Sequence, residues 1–205
     1  MKLQNKIVGR IIGLFRTKRW EVLAKMINEN GFTSYAEIGV WRGDTTKYLL
    51  KKCKGLERIY CVDDYVDNNK SFNQDGMEKS KQIARSLLKS PKVVFLYKSS
   101  EEASKEIKDE ALDIVFIDAD HTYEGCKKDI ECWYPKVRKR GIVCGHDYKI
   151  GYMGVIKAVN EKFYPINLEY DDVWWVWKGE VNAIECYLKR LKQKKNRRSI
   201  GFRHI

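Results

Sequence analysis

The feature that most constrains this chain is a repeated change of rhythm. Short apolar runs alternate with longer amphipathic stretches through most of its length. Runs at Tyr35–Gly39, Arg58–Asp63, Lys92–Tyr97, Leu112–Asp118, Ile142–His146, Asn167–Tyr170 and Val173–Lys178 read as strands. Residues 44–53, 76–89, 100–109, 123–137, 152–163 and 181–195 read as helices. A further helix over 20–30 stops at Gly31, a residue suited to the left-handed turn that ends helices. This alternation predicts an α/β fold on a mostly parallel sheet with helices on both faces, since a parallel neighbour needs a crossover long enough to hold a helix. In such sheets ligands bind beyond the carboxyl ends of the strands. Function is therefore to be read at those ends.

Charge is distributed unevenly. Residues 1–20 hold six Lys/Arg and no acid, and residues 189–205 hold eight and no acid, within an overall formal charge of +12. Between them 26 basic residues face 28 acidic ones, so the body is not a basic platform. Any attraction to nucleic acid or to an anionic membrane would act through the two ends, with a solvated tail the plainer reading. Ile7, Val8, Ile11, Ile12, Leu14 and Phe15 share one side of a helical wheel. Such a helix suits a membrane surface, the domain itself or a partner subunit of a homo-oligomer. No apolar run reaches the roughly 18 residues of a membrane span, and Arg10 interrupts the stretch that a signal peptide would need. The six cysteines show no C-x-x-C pairing, which fits reduced, buried thiols and a cytoplasmic setting, with peripheral membrane contact as the alternative.

The first strand runs into Glu37-Ile38-Gly39-Val40-Trp41-Arg42-Gly43-Asp44-Thr45. Gly39 and Gly43 permit positive φ and close approach of backbone to a ligand. The dinucleotide fingerprint G-x-G-x-x-G is absent, which disfavours NAD. The second strand ends in Asp63-Asp64, at about the spacing at which a carboxylate meets a ribose diol. The third leads into Ser99-Ser100, of which Ser99 suits a helix cap and Ser100 either a cap or an adenine contact.

The fourth strand delivers Asp118, Asp120 and His121, and the fifth His146 and Asp147. Two of the chain's three histidines thus lie at adjacent strand ends with three carboxylates. Such a set suits Mg²⁺ or Mn²⁺, which favour oxygen ligands and keep positions open for substrate. Asp120 as a helix cap and His146 as a satisfied core histidine are the structural alternatives. His121 is a candidate general base. Tyr123, Tyr148, Tyr152 and the Trp174/Trp175 strand are candidates for a sugar or aromatic pocket, with core packing the alternative for the tryptophans.

Taken together, Glu37–Gly43, Tyr60–Asp63, Phe116–Gly125 with Asp129, Gly141–Tyr148, Gly154–Val159 and Trp174–Lys178 resemble methyltransferase family 24, relatives of the macrocin-type sugar O-methyltransferases. The resemblance spans about 35–178. It implies a Rossmann-like, seven-stranded S-adenosylmethionine methyltransferase sheet, with Val173–Lys178 as an antiparallel last strand. It implies cofactor contacts at Glu37, Gly39, Val40, Trp41, Gly43, Asp63, Ser100 and Asp118. More distantly the chain is similar to catechol-type O-methyltransferases. There the acid ending strand four and an Asp-Asn pair ending strand five bind magnesium, positions that fall on Asp118 and on His146-Asp147, while a catalytic lysine falls on His121. The expectation is a metal-assisted O-methylation of a hydroxyl on a sugar or other small molecule, with Asp118 and His121 catalytic. A nucleic-acid methyltransferase using the basic tail, and a cofactor-binding scaffold anchored by its basic ends, are the alternatives. The expected organisation is a basic amphipathic segment over 1–30, a catalytic domain over 31–180, and a C-terminal helix and basic tail over 181–205.

Overall fold

The computed structural model describes residues 17–66 and 74–179. The predicted amphipathic segment before residue 17 and the predicted helix and tail after residue 180 lie outside these residues. The elements are α1 (Arg19–Asn30), β1 (Ser34–Ile38), α2 (Asp44–Lys52), β2 (Arg58–Val62), α3 (Gln74–Leu87), β3 (Val93–Leu96), α4 (Ser100–Lys105), β4 (Leu112–Ile117), α5 (Tyr123–Trp133), β5 (Val137–Gly145), α6 (Met153–Lys162), β6 (Asn167–Glu169) and β7 (Val173–Trp177). They form one seven-stranded sheet in the order β3-β2-β1-β4-β5-β7-β6. The first five strands are parallel, and β7 runs antiparallel to both β5 and β6.

Alternation along each strand builds two cores. Tyr35, Ile59, Cys61, Ile114, Phe116, Ile142 and Cys144 face one way, onto α1, α2 and α3. Ala36, Ile38, Val62, Val115, Ile117 and Val143 face the other, onto α4, α5 and α6. The strand order reverses at β1, whose neighbours are β2 and β4. Right-handed crossovers then put the helices made before and after that reversal on opposite faces, opening a crevice at the carboxyl end of β1. Gly31 ends α1 as expected, with φ 63° and its N–H on Asn28 O and Ile27 O.

The one sizeable departure from expectation is at β5. The helix predicted over 123–137 stops at Trp133, Pro135 follows in a 3₁₀ turn, and the strand begins at Val137. Its first half carries solvent-facing Lys139 and Arg140, and the register with β4 breaks between Leu112 and Ile114, so no apolar run announces it.

The amino edge of the sheet is tied by Asp113. Its Oδ2 accepts from Thr33 N–H (2.8 Å), Ser34 N–H (2.9 Å) and the Ser34 hydroxyl (2.9 Å), while Oδ1 takes Arg138 Nε (2.6 Å). At the other edge Glu37 is 2% exposed, and its carboxyl accepts a short hydrogen bond from the Thr46 hydroxyl. Burial pushes Glu37 up to about 8, against the bond from Thr46 and with help from the Asp118 charge.

Two outcomes are expected. Trp133 is fully buried and its Nε1–H donates to Ser100 Oγ at 2.8 Å; Trp133→Ala should cost about 3–5 kcal/mol of stability in urea unfolding. Because Glu37 holds its proton to higher pH when folded than when unfolded, its contribution favours the folded state in acid and is lost as pH rises from about 4.5 toward about 8. Denaturation of Glu37→Gln at pH 6 and at pH 8 should therefore show the variant gaining on the wild type at the higher pH.

Candidate functional site

At the carboxyl end of β1 the chain turns through Gly39 at φ 88°. A Cβ there would lie 2.2 Å from the backbone carbonyl oxygen of Asp118, so only glycine lets β1 and β4 come together at this height. The loop is then held from β2: Asp63 Oδ2 accepts from Val40 N–H (2.9 Å) and Trp41 N–H (2.8 Å), and Oδ1 from Tyr65 N–H (2.8 Å). Three of the roughly four acceptor positions of this carboxylate are thereby filled. Its first task in the fold is to shape the loop, which leaves it capacity for about one more donor rather than a free grip on two hydroxyls. Gly43 serves packing. It is the left-handed N-cap of α2, a Cβ on it would meet Leu88, and it does not line the cleft described below.

The ends of β4 and β5 are parallel neighbours, Ile117 opposite Gly145. That register sets Asp118 beside His146 and Asp147, and the turn after β4 folds His121 back over them. His121 Nε2 lies 2.7 Å from Asp147 Oδ2 and 3.8 Å from Asp118 Oδ1; His146 Nδ1 lies 3.3 Å and 3.6 Å from the same two oxygens. Lys149 Nζ closes on Asp147 Oδ1 at 2.8 Å. The two carboxylates raise His121 to about 9, Asp118 and Asp147 acting together against partial burial. Burial works against His146 as well, yet the same pair raises it to about 9. Burial raises Asp118 and Asp147, but the imidazoles outweigh it with help from Arg19 and Lys149 respectively, so that Asp118 is lowered and Asp147 lies well below the usual carboxylate range. Without ligand the two acids that face His121 hold it as imidazolium at neutral pH, so this candidate general base starts out charged.

One donor atom each from Asp118, His121 and Asp147 falls within 4.8 Å of the others. Of the expected metal set of Asp118, His146 and Asp147, the two acids belong to this group, and His121 stands in it where His146 was expected. This mixture of two carboxylates and imidazole fits a small divalent cation, which would compete with the protons that the histidines carry. His146 is the more enclosed of the two: its ring packs 6.4 Å from Phe116, and its buried Nε2 makes no hydrogen bond, with Asp171 Oδ2 the acid nearest it at 3.9 Å.

The remaining candidates divide. Ser99 caps α4, accepting from Glu102 N–H at 3.4 Å. Ser100 reaches the cleft, but its hydroxyl accepts from Trp133 Nε1 and bonds Asp129, which burial pushes up to about 6. Thr122, not Asp120, caps α5; Asp120 accepts from Thr122 N–H in the preceding turn. Of the aromatic candidates only Tyr152 joins the site, its ring 4.6 Å from that of His121. Tyr123 turns to Glu161 and Lys127, and Tyr148 donates to Asn160 at 2.9 Å. Trp174 is wholly buried against Gly145, and Trp175 packs into the α1–α3 core.

These groups line one cleft of about 1010 Å³ at the carboxyl edge, shared by Glu37, Gly39, Val40, Trp41, Asp63, Ser100, Asp118, His121, His146 and Asp147. Its wall also holds Arg19, the first residue of α1, which the sequence did not single out. Arg19 Nε lies 3.5 Å from Asp118 Oδ2, on the side of that carboxylate away from the histidines. One arginine in a basic stretch gives no signal by itself.

Residues 36–148, more than half of the chain, match the family model described as a methyltransferase domain, family 24. An uncharacterized protein, y4gI of Sinorhizobium fredii, is 36% identical over 56 residues, 27% of this chain and only 6% of that protein. Among solved structures, the cofactor-bound Rv0187 from MTB superposes with a TM-score of 0.60 at 14% identity, covering 80% of each chain. A Staphylococcus aureus protein described as a caffeoyl-CoA O-methyltransferase gives 0.57 at 19% identity over 78% of this chain and 82% of its own. Spermidine synthase from Thermotoga maritima gives 0.53 at 17% identity over 76% and 57%. Family match and sheet topology agree: the chain belongs to methyltransferase family 24, on the class I S-adenosylmethionine-dependent methyltransferase fold.

Proposed function

We propose that this protein transfers the methyl group of S-adenosylmethionine to a hydroxyl oxygen of a small acceptor, a sugar being the first class to test. The observation that carries the reading is the sharing of one cleft by the Gly39 loop and the Asp118–His121–Asp147 cluster. The loop offers backbone and a carboxylate to a nucleoside, and the cluster offers charge where an acceptor hydroxyl must lose its proton.

The sulfonium is already activated, so the chain's work is alignment, exclusion of water and handling of one proton. Asp63 fixes the loop on which the nucleoside rests. Asp118 stands between the two halves of the cleft, one oxygen toward Arg19 and the other toward the histidines. His121 takes up the acceptor's proton, and Asp118 and Asp147 stabilise the imidazolium that results. Positive charge brought into the cleft lowers the pKa of His121 and frees its neutral form, and the sulfonium is such a charge. Tyr152, against the His121 ring, orients it and screens it from water. As an alternative to that proton transfer, Asp118, His121 and Asp147 would hold a divalent cation, which when bound would supply Lewis acidity to a ligated hydroxyl.

Calorimetric titration with S-adenosylmethionine should show micromolar binding, and failure of the wild type to bind would overturn the reading. Gly39→Ala should abolish that binding, since its Cβ would strike the Asp118 carbonyl. His121→Ala should bind cofactor normally yet lose about 10²–10⁴-fold in methyl transfer across an acceptor panel. Transfer that falls in EDTA and returns with Mg²⁺ or Mn²⁺ would support the metal, and unchanged transfer in EDTA would remove it.

A further inference from the structure

Arg19 lies outside the stretch matched by the family model, yet it stands in the cleft wall with its side chain 27% exposed. It is held there from two directions. Its backbone N–H donates to Asp171 Oδ2 at 2.9 Å, tying the start of α1 to the β6–β7 hairpin 152 residues away. Its Nε–H reaches the Thr45 hydroxyl at 3.4 Å and Asp118 Oδ2 at 3.5 Å. The Trp20 ring lies 5.7 Å from the guanidinium carbon. The terminal guanidinium nitrogens, four of the five N–H donors of the group, have no hydrogen-bond partner among the described residues.

A planar fork of unspent donors is matched by a carboxylate. The setting adds a second requirement, because the fork is not a lone cation. Asp118 holds a negative charge beside it, and the Thr45 hydroxyl lies next to both. A cation and an anion fixed side by side, each with an open flank, complement an α-amino acid, whose carboxylate and ammonium are fixed in the same way. The nucleoside half of the cleft lies at the other end of the Gly39 loop, by Asp63. On the reading that the cofactor is S-adenosylmethionine, on which this inference rests, its amino-acid end is the zwitterion that reaches this corner.

We propose that Arg19 and Thr45 bind the carboxylate of the cofactor's amino-acid end while Asp118 Oδ2 faces its ammonium, so that Arg19 sets selectivity for the intact amino-acid moiety. An arginine that only neutralised Asp118 would weaken all nucleoside ligands alike or none.

The test compares two stable ligands that differ by the carboxylate alone, S-adenosylhomocysteine and its decarboxylated counterpart S-adenosyl-3-thiopropylamine. Each is titrated by calorimetry into the wild type, Arg19→Met and Arg19→Lys, after thermal melting has shown the variants folded. Wild type should prefer S-adenosylhomocysteine. Arg19→Met should bind it about 10- to 100-fold more weakly, the loss of a hydrogen bond to a charged group, while its affinity for the decarboxylated ligand stays unchanged. Arg19→Lys, keeping charge without the fork, should fall between. Equal loss for both ligands makes Arg19 merely structural and overturns the proposal. Unchanged affinity for both overturns it as well, and a raised KM for the acceptor alone would then move the anion to that substrate. A wild type that binds neither ligand would overturn the methyltransferase reading itself.

Discussion

Everything at the working edge depends on a side chain that is absent. Because Gly39 has no Cβ, the backbone carbonyl of Asp118 can occupy the space beside it, and the chain reversals after β1 and β4 meet at one height. The parallel ladder continues past the strands themselves, with Gly39 N–H on Val62 O at 2.9 Å and Asp118 N–H on Ile38 O at 2.8 Å. With those bonds made, the Gly39 loop and the first acid of the charged cluster are neighbours by construction. A larger residue would push the two loops apart and separate binding from chemistry.

The electrostatics follow from that crowding. Six ionisable groups stand within a few ångströms: Asp118 and Asp147 against His121, His146, Arg19 and Lys149. The carboxylates are desolvated and would be costly alone, so each gathers cations, and the imidazoles pay with raised pKa values. The cluster is a balanced reservoir of charge rather than a bare acidic hole. An incoming cation therefore competes with protons and is not simply attracted to an empty site.

Much of this was legible in the sequence, and the limits have physical causes. All seven expected strands and the helices expected within the described residues are present, apart from an early start to β5 and early ends to α4 and α5, because burial on one or both faces leaves a period. The early start of β5 was hidden, since Lys139 and Arg140 face solvent and Arg140 adopts φ 59°. The acids and histidines at the ends of β4 and β5 could be named from topology alone. Their mutual distances could not, and those distances set the protonation of His121. Aromatic residues misled: Tyr123, Tyr148 and Trp174 have the composition of a sugar pocket, yet they point into hydrogen-bonded surface or core. Arg19 had no signal, because the reason it matters is a helix docked across the sheet.

That docking has a consequence for the order in which the protein can be made. The bond from Arg19 to Asp171 joins the first described helix to the last hairpin of the sheet. On the ribosome α1 emerges early, while its anchor follows only after the glycine loop, both acids and both histidines have been synthesised. A nascent chain halted before Asp171 would hold nearly all the groups of the cleft and lack the strut that seats its outer wall. The outer wall of the cleft is thus seated only when the two distant segments close on each other.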